Sequence, residues 1–319
     1  MADYDVFNGD ADGICALLQL RLADPRDTSL VTGVKRDIDL LKKIDVSAGD
    51  RITVLDISMD KNSTALANAL KNGASVTYVD HHFPGDIPKH DKLDATIDTA
   101  AEVCTGLLIN RRLKGLHLPW AVTAAYGDNL HTAAANAAEP LNLSEAQLAQ
   151  LEELGTLLNY NGYGATVEDL FFAPDTLFKK LIPYSDPFEF INSDDTFTEL
   201  KAGYESDMAK AKSTKASFAT DNCALLKFPQ ESWSRRVGGV YGNELARDFP
   251  NRAHALLSEI SADTYQVSVR APINRREGAD ELCRQFESGG GRKAAAGINN
   301  LPEADVERFT QAFITQFST

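Results

Sequence analysis

From its first residues the chain alternates short apolar runs with longer amphipathic stretches. DYDVF reads as a strand and NGDADG as the turn after it. Ile14, Leu17 and Leu18 then fall at helical spacing, with Arg21 facing away, so a helix is predicted from Ile14. RITVLDISM, from Arg51, is a continuous apolar run of the buried-strand kind. KNSTALANALKNG is a helix closed by Gly73, and ASVTYVD is the next strand. Two more helices are predicted over about 101–113 and 120–126. Strands separated by helices give a parallel sheet covered on both faces.

Between 140 and 215 the pattern is mostly helical. LSEAQLAQLEELGTLLN is one helix, and FTELKAGYESDMAKAKSTKASF is a second, polar all round and suited to bridging two domains. Aromatic-rich loops, NYNGYG and FFAPDTLF, lie between them. From Asn222 the rhythm changes again: CALLKF, HALLSEI and TYQVSVRAP read as strands, ELARDF and ADELCRQF as helices. The expected class is α/β. A parallel-sheet N-terminal domain with flanking helices covers 1–195, a helical linker 196–217, and a smaller α/β domain 218–319.

Composition narrows the partners. At 319 residues with 43% hydrophobic content, the chain has material for two ordinary cores. No apolar run is long enough for a membrane span, and the start lacks the basic-then-apolar layout of a secretory signal. Cys15, Cys104, Cys223 and Cys283 form no CxxC pair, which argues against a zinc ribbon or disulfide framework and suits a reducing, cytoplasmic setting. The net charge is −14 but unevenly spread: residues 1–200 hold 31 acidic and 16 basic side chains, and the remainder 15 and 16. That pattern suits metal ions on one part and phosphate on the other, and excludes a broad grip on long duplex DNA.

Three of the strand-like runs finish on acid: Asp10 and Asp12 after the first, Asp56 after the second, Asp80 after the third, where His81 and His82 follow at once. In an open parallel sheet ligands bind beyond the carboxyl ends of the strands, so these groups are expected on one rim. Each has an ordinary alternative. A DxD is a common turn, and an Asp after a strand is a common helix N-cap. Together, gathered carboxylates would repel one another and shift their pKa values. A divalent ion removes that repulsion, and aspartates with an imidazole suit Mn²⁺, Mg²⁺, Fe²⁺ or Zn²⁺.

NGDADG, VLDIS, VDHH and AAYGD, in this order, resemble the four motifs of the DHH phosphoesterases. SVRAP (268–272) and ESGGGRKAAAG (287–297) resemble the C-terminal substrate domain associated with that family. The resemblance spans nearly the whole chain and is least defined over 140–215. It implies a two-ion site, manganese first, with magnesium or another divalent ion as alternatives. Asp56 would bridge the ions, Asp12, His81 and Asp128 complete one site, and Asp10 hold the other. It implies that Asp80 orients His81 and that His82 lies nearer the substrate phosphate. It also implies substrate contacts from Arg270 and the Gly289–Gly290–Gly291 triplet, whose N–H groups would form an anion nest at the start of a following helix. Two residues depart from the family pattern. Asn8, with Val6 beside it, stands where many relatives carry histidine or a further aspartate and would give its ion only a neutral amide oxygen, holding it more weakly; Arg292 follows the glycines where relatives usually carry histidine.

The implied reaction is metal-dependent hydrolysis of short oligoribonucleotides, above all linear dinucleotides of the pGpG or pApA type, to mononucleotides. The substrate would lie in a cleft between the domains, and guanidinium at 292 could favour guanine. Alternatives are hydrolysis of polyphosphate, pyrophosphate or a mononucleotide phosphate and, in another class, a catalytically idle nucleotide-binding regulator. No membrane partner is expected, and a homodimer is left open.

Overall fold

The computed structural model describes residues 1–318. They fall into two compact units, residues 1–162 with 166–202, and 163–165 with 203 onward.

The first unit is built on β1 (Asp3–Phe7), β2 (Ser29–Val31), β3 (Arg51–Leu55), β4 (Ser75–Asp80) and β5 (Leu93–Ile97), all parallel in the order β2-β1-β3-β4-β5. Val6, Ile52, Val54, Val76 and Tyr78 point into one core, closed by Leu66, Ala69 and Leu70 of α2 (Met59–Lys71). α1 (Ala11–Ala23) is buried almost all round: Ile14, Cys15, Ala16, Leu17 and Leu18 are fully covered. α3 (Thr105–Arg112), α4 (Leu118–Gly127) and α6 (Glu145–Asn161) pack on it, and α5 (His131–Ala138) packs on α4. α7 (Pro174–Leu181), α8 (Pro187–Ser193) and α9 (Asp195–Ser213) follow, and the two units divide within α9.

Several expectations need correction. α1 begins at Ala11, three residues early, because Asp10 caps it. Arg21 does not face away: it is buried and clasps the fully buried Asp5 at 2.5 and 2.7 Å. Two strands lie outside the sequence expectation: β2 is only three residues long, and β5, LDATI, is as long as β1 but lacks a continuous apolar run. FFAPDTLF is no loop, since Pro174 opens α7 at the position where its missing N–H costs nothing. NYNGYG begins as the last turn of α6. α9 is not polar all round; Leu200, Met208 and Ala211 are buried.

The second unit carries β6 (Phe218–Ala219), β7 (Cys223–Phe228), β8 (Ala253–Ser261), β9 (Thr264–Arg270), β10 (Gly289–Arg292) and β11 (Ala295–Pro302), in the order β10-β11-β9-β8-β7-β6. Only β7 and β8 pair parallel; α10 (Ser232–Asp248) connects them. Phe309, Phe313 and Phe317 of α12 (Glu303–Phe317), with Leu282 and Cys283 of α11 (Ala279–Cys283), fill the core under the sheet. Arg236 is buried in an ion pair with Asp207 at 2.7 Å.

The glycine triplet also differs from expectation. No helix follows it: Gly289–Arg292 is a strand that hairpins onto Ala295–Pro302. A Cβ at Gly289 would lie 1.8 Å from the Cys283 carbonyl oxygen, and Gly291 has φ +138°, so both glycines answer to local packing. Gly290 faces open space.

Candidate metal centre

The chain leaves β1 for β2 on one side and then takes up β3 on the other, so the strand order reverses between β1 and β3. Such a switch point opens a crevice at the carboxyl ends of the strands. Asp10 and Asp12 follow β1, Asp56 follows β3, and Asp80, His81 and His82 lie at the end of β4. Asp128 arrives from a different direction, immediately after α4. That approach depends on Gly127, where a Cβ would sit 2.3 Å from the Ala11 Cβ.

Each carboxylate is fixed by the backbone around it. Asp10 Oδ1 accepts from the N–H groups of Asp12 and Gly13, both at 3.1 Å, and caps α1. Asp12 Oδ2 accepts from Thr105 N–H and its Oδ1 from Gly106 N–H, each at 2.7 Å. It thus lies at the positive end of α3, where an anion is favoured. Asp56 has φ +59°, the left-handed region that aspartate tolerates better than most residues. Its N–H donates to the Val79 carbonyl at 3.1 Å, and its Oδ1 accepts from Thr105 Oγ1 at 3.1 Å. A backbone outlier held in place on both sides is common at functional sites.

His81 is the hub. Its Nε2 lies 3.4 Å from Asp56 Oδ1, 3.7 Å from Asp128 Oδ2 and 3.9 Å from Asp12 Oδ2. Two donor sets converge closely enough for a cation, Asp12–His81–Asp128 and Asp56–His81–His82, the ligand atoms of each lying within 4.8 Å of one another. The structure brings Asp12, Asp56, His81 and Asp128 together.

The electrostatics call for positive charge. Asp10, Asp12 and Asp56 are each no more than 2% exposed. Burial, then the charges of Asp12, Asp10, Asp80 and Asp128, push the Asp56 carboxyl well above its ordinary range. Burial and Asp12 push Asp128 up to about 6, against the pull of Lys35. Burial also opposes ionisation of Asp10, but the Lys35 ammonium and the Gly13 N–H outweigh it and hold its pKa low. Oxygen-rich donors with one imidazole, at close quarters and short of counter-charge, fit a hard or borderline divalent ion.

Two assignments change. Asp80 does not orient His81; its Oδ1 accepts from His82 Nδ1 at 2.7 Å. Burial would lower the His82 pKa, yet the Asp80 bond and the surrounding carboxylates leave it above the ordinary imidazole value. Asp10, expected to hold an ion, has Oδ1 engaged by the α1 cap and Oδ2 engaged by Lys35. Lys35 and its second partner Asn159 had not been singled out, nor had Thr105. The available signals were a lone basic pair in an acidic stretch, an asparagine read as part of a loop, and a Thr-Gly at a helix start.

The remaining candidates belong to other surroundings. Asn8 is buried; its amide nitrogen donates to the Lys35 carbonyl at 3.3 Å, and its Oδ1 accepts no hydrogen bond. Arg270, in the second unit, donates to Asn243, Ser268 and the carbonyls of Val269 and Gly239. Register sets Arg292 opposite Ala295 and Ala295 opposite Arg270, so the two arginines share one row across three strands.

No protein-family model and no curated protein matches the chain. Solved structures do. A manganese-bound exonuclease RecJ superposes with a TM-score of 0.67 at 17% identity, over 99% of this chain and 90% of that one. The pGpG-specific phosphodiesterase PggH from Vibrio cholerae gives 0.57 at 15%, over 99% and 98%. CDC45 from Entamoeba histolytica gives 0.54 at 10%, over 100% and 95%. With the rim of aspartates and the histidine pair at the sheet's switch point, these likenesses give the chain the fold of the DHH phosphoesterases.

Proposed function

We propose that this protein is a metal-dependent phosphodiesterase acting on short oligoribonucleotides, with linear dinucleotides such as pGpG or pApA as preferred substrates. The convergence of Asp12, Asp56, His81 and Asp128 on one point carries the reading. Manganese is the proposed ion, with magnesium as a substitute, and it would neutralise phosphate oxygens and acidify a bound water. The chain's own groups do the rest. Thr105 holds Asp12 and Asp56 in place, and Asp80 keeps the proton of His82 on Nδ1. His82 Nε2 is then the nitrogen able to hold or pass a proton at a phosphate or leaving-group oxygen. Arg270, Arg292 and the backbone at Gly289, Gly290 and Gly291 are the proposed substrate contacts of the second unit, as guanidinium and N–H groups suited to phosphate.

Two features support a dinucleotide over a long strand. Although RecJ superposes with the higher TM-score, the chain matches 98% of PggH, named for pGpG, against 90% of the RecJ exonuclease chain. Its charge balance also gives no broad basic track for a long backbone. The test is turnover with Mn²⁺ on a panel of dinucleotides, longer RNA, single-stranded DNA and pyrophosphate. Release of mononucleotides from dinucleotides at the highest kcat/KM is expected. A preference for long strands or for pyrophosphate would replace the substrate assignment. Binding of dinucleotides with no cleavage would make the protein a regulator.

A further inference from the structure

We infer that Lys35 is a resident cation of the centre. Its ammonium takes the side of the cluster where Asp10 would hold a second divalent ion, so the chain binds one ion. Asp12, Asp56, His81 and Asp128 hold that ion; the two donor sets share His81 and count as one ion position, and the protein supplies the other positive charge itself. The role of that charge in hydrolysis rests on the phosphodiesterase reading; the number of ions does not.

The ammonium has the surroundings of a bound ion. It pairs with Asp10 Oδ2, donates to Asn159 Oδ1 at 2.8 Å and lies 3.8 Å from Asp128 Oδ1. Two carboxylate oxygens and an amide oxygen are the donors a hard cation takes from a protein. Asp12 also accepts a backbone N–H on each oxygen, but Asp10 differs: its Oδ1 accepts two N–H groups in capping α1, and its Oδ2 already faces a cation, the Lys35 ammonium. Asn8, next to this carboxylate in sequence, adds no charge. Its amide oxygen is buried without a hydrogen-bond partner and is neutral, so it brings no negative charge to offset the Lys35 ammonium and draw in a dication.

The lysine is carried into this place by its backbone. The segment around Gly33 runs so close to the first motif that a Cβ on Gly9 would lie 1.9 Å from the Gly33 carbonyl oxygen. The Lys35 carbonyl accepts from Asn8 Nδ2 at 3.3 Å, and its N–H donates to the Gly162 carbonyl at 2.8 Å. A side chain anchored on both sides of its own peptide group is aimed at the cluster. The side chain is 27% exposed, so one side of it stays open to solvent, where a phosphate oxygen could take a hydrogen bond. A fixed ammonium there stabilises developing phosphoryl charge without being bound and released.

The experiment counts ions on the full-length chain. Mn²⁺ is titrated into metal-free protein by calorimetry, and the same samples are read by electron paramagnetic resonance. The wild type should take one equivalent and show the six-line spectrum of an isolated Mn²⁺. Lys35→Ala should take two and show an exchange-coupled pair, while Lys35→Arg should stay at one. Two equivalents with a coupled spectrum in the wild type would overturn the inference. So would a single equivalent of unchanged affinity in a folded Lys35→Ala protein. Because no substrate enters this measurement, failure to cleave any dinucleotide would defeat the proposed function and leave the ion count standing.

Discussion

His82 Nδ1 and Asp80 Oδ1 are 2.7 Å apart, and Asp80 is fully buried. The carboxylate fixes the tautomer and angle of an imidazole that is not the hub of the donor cluster. Asp80→Asn should therefore lower kcat/KM by roughly 10–100-fold, the usual cost of losing such an orienting partner. Mn²⁺ affinity should fall only a few-fold, through loss of the Asp80 charge, since His81 keeps its own position. A calorimetric Mn²⁺ titration separates the two effects, and a tenfold loss of affinity in Asp80→Asn would return the orienting role to His81.

Asp56 sets activity against stability. Without a metal ion it is a buried carboxyl among like charges, pushed well above its ordinary pKa by burial and by Asp12. Above its unfolded pKa it works against folding. Asp56→Asn keeps a side chain that tolerates φ +59° and removes the charge. The metal-free variant is expected to melt higher than metal-free wild type at pH 7, by roughly 2–6 °C for a gain of 1–2 kcal/mol. Phosphodiesterase activity should be lost. Differential scanning fluorimetry with and without Mn²⁺ reads both states; a variant that melts lower than metal-free wild type would contradict the charge argument.

The parts of the fold legible in the sequence were those carried by period and by position along a strand. β1, β3 and β4 announce themselves as apolar runs ending on acid, and the rim of Asp12, Asp56 and His81 follows once they lie parallel; Asp128, which comes from the end of α4, was legible only through the resemblance of AAYGD to a family motif. What stayed hidden depends on partners far away in the chain. Arg21 reads as a solvent-facing arginine because its partner Asp5 is 16 residues earlier, on another element. Lys35 and Asn159 are 124 residues apart, and no local pattern joins them. The glycine triplet misled because three glycines before a basic residue suit a nest and a hairpin equally. Only the pairing with Ala295–Pro302 decides between them.

His254 gives the second unit a defined acid sensitivity. It lies on β8, 1% exposed, directly opposite Arg270 in the sheet and near Arg252 and the Phe249 ring. Burial, then the charge of Arg252, lower its pKa to about 4 from the ordinary 6.5. The native state therefore binds fewer protons here than the unfolded chain between these values. The stability it contributes is intact above pH 6.5 and declines as the pH falls towards 4, by about 3 kcal/mol at the limit. Urea midpoints of wild type and His254→Leu, compared from pH 7.5 to 4.5, isolate this residue. The difference should narrow or reverse in the variant's favour as the pH drops; parallel curves would mean that His254 accepts its proton in the native fold.

Phe83 is 72% exposed immediately after His82, on a backbone that is not loose. Its carbonyl accepts from Ser58 Oγ at 3.0 Å, and Gly85, two residues on, has φ +62° in a turn that approaches Asp60. Ile87, in the same loop, is 46% exposed as well. A large ring left in water costs free energy unless something covers it, and beside a candidate phosphate-cleaving centre the fitting cover is a nucleobase. Stacking of one base on an aromatic ring contributes about 1–3 kcal/mol. Phe83→Ala should therefore raise KM for a dinucleotide by roughly 5–100-fold while kcat changes little, because the ring touches no reacting atom. Phe83→Trp should keep KM near the wild-type value, since a wider ring still stacks. A non-nucleotide ester such as bis(p-nitrophenyl) phosphate sets the baseline for loop damage. If Phe83→Ala weakened turnover of that ester as much as that of the dinucleotide, the ring would be supporting the loop and not the base.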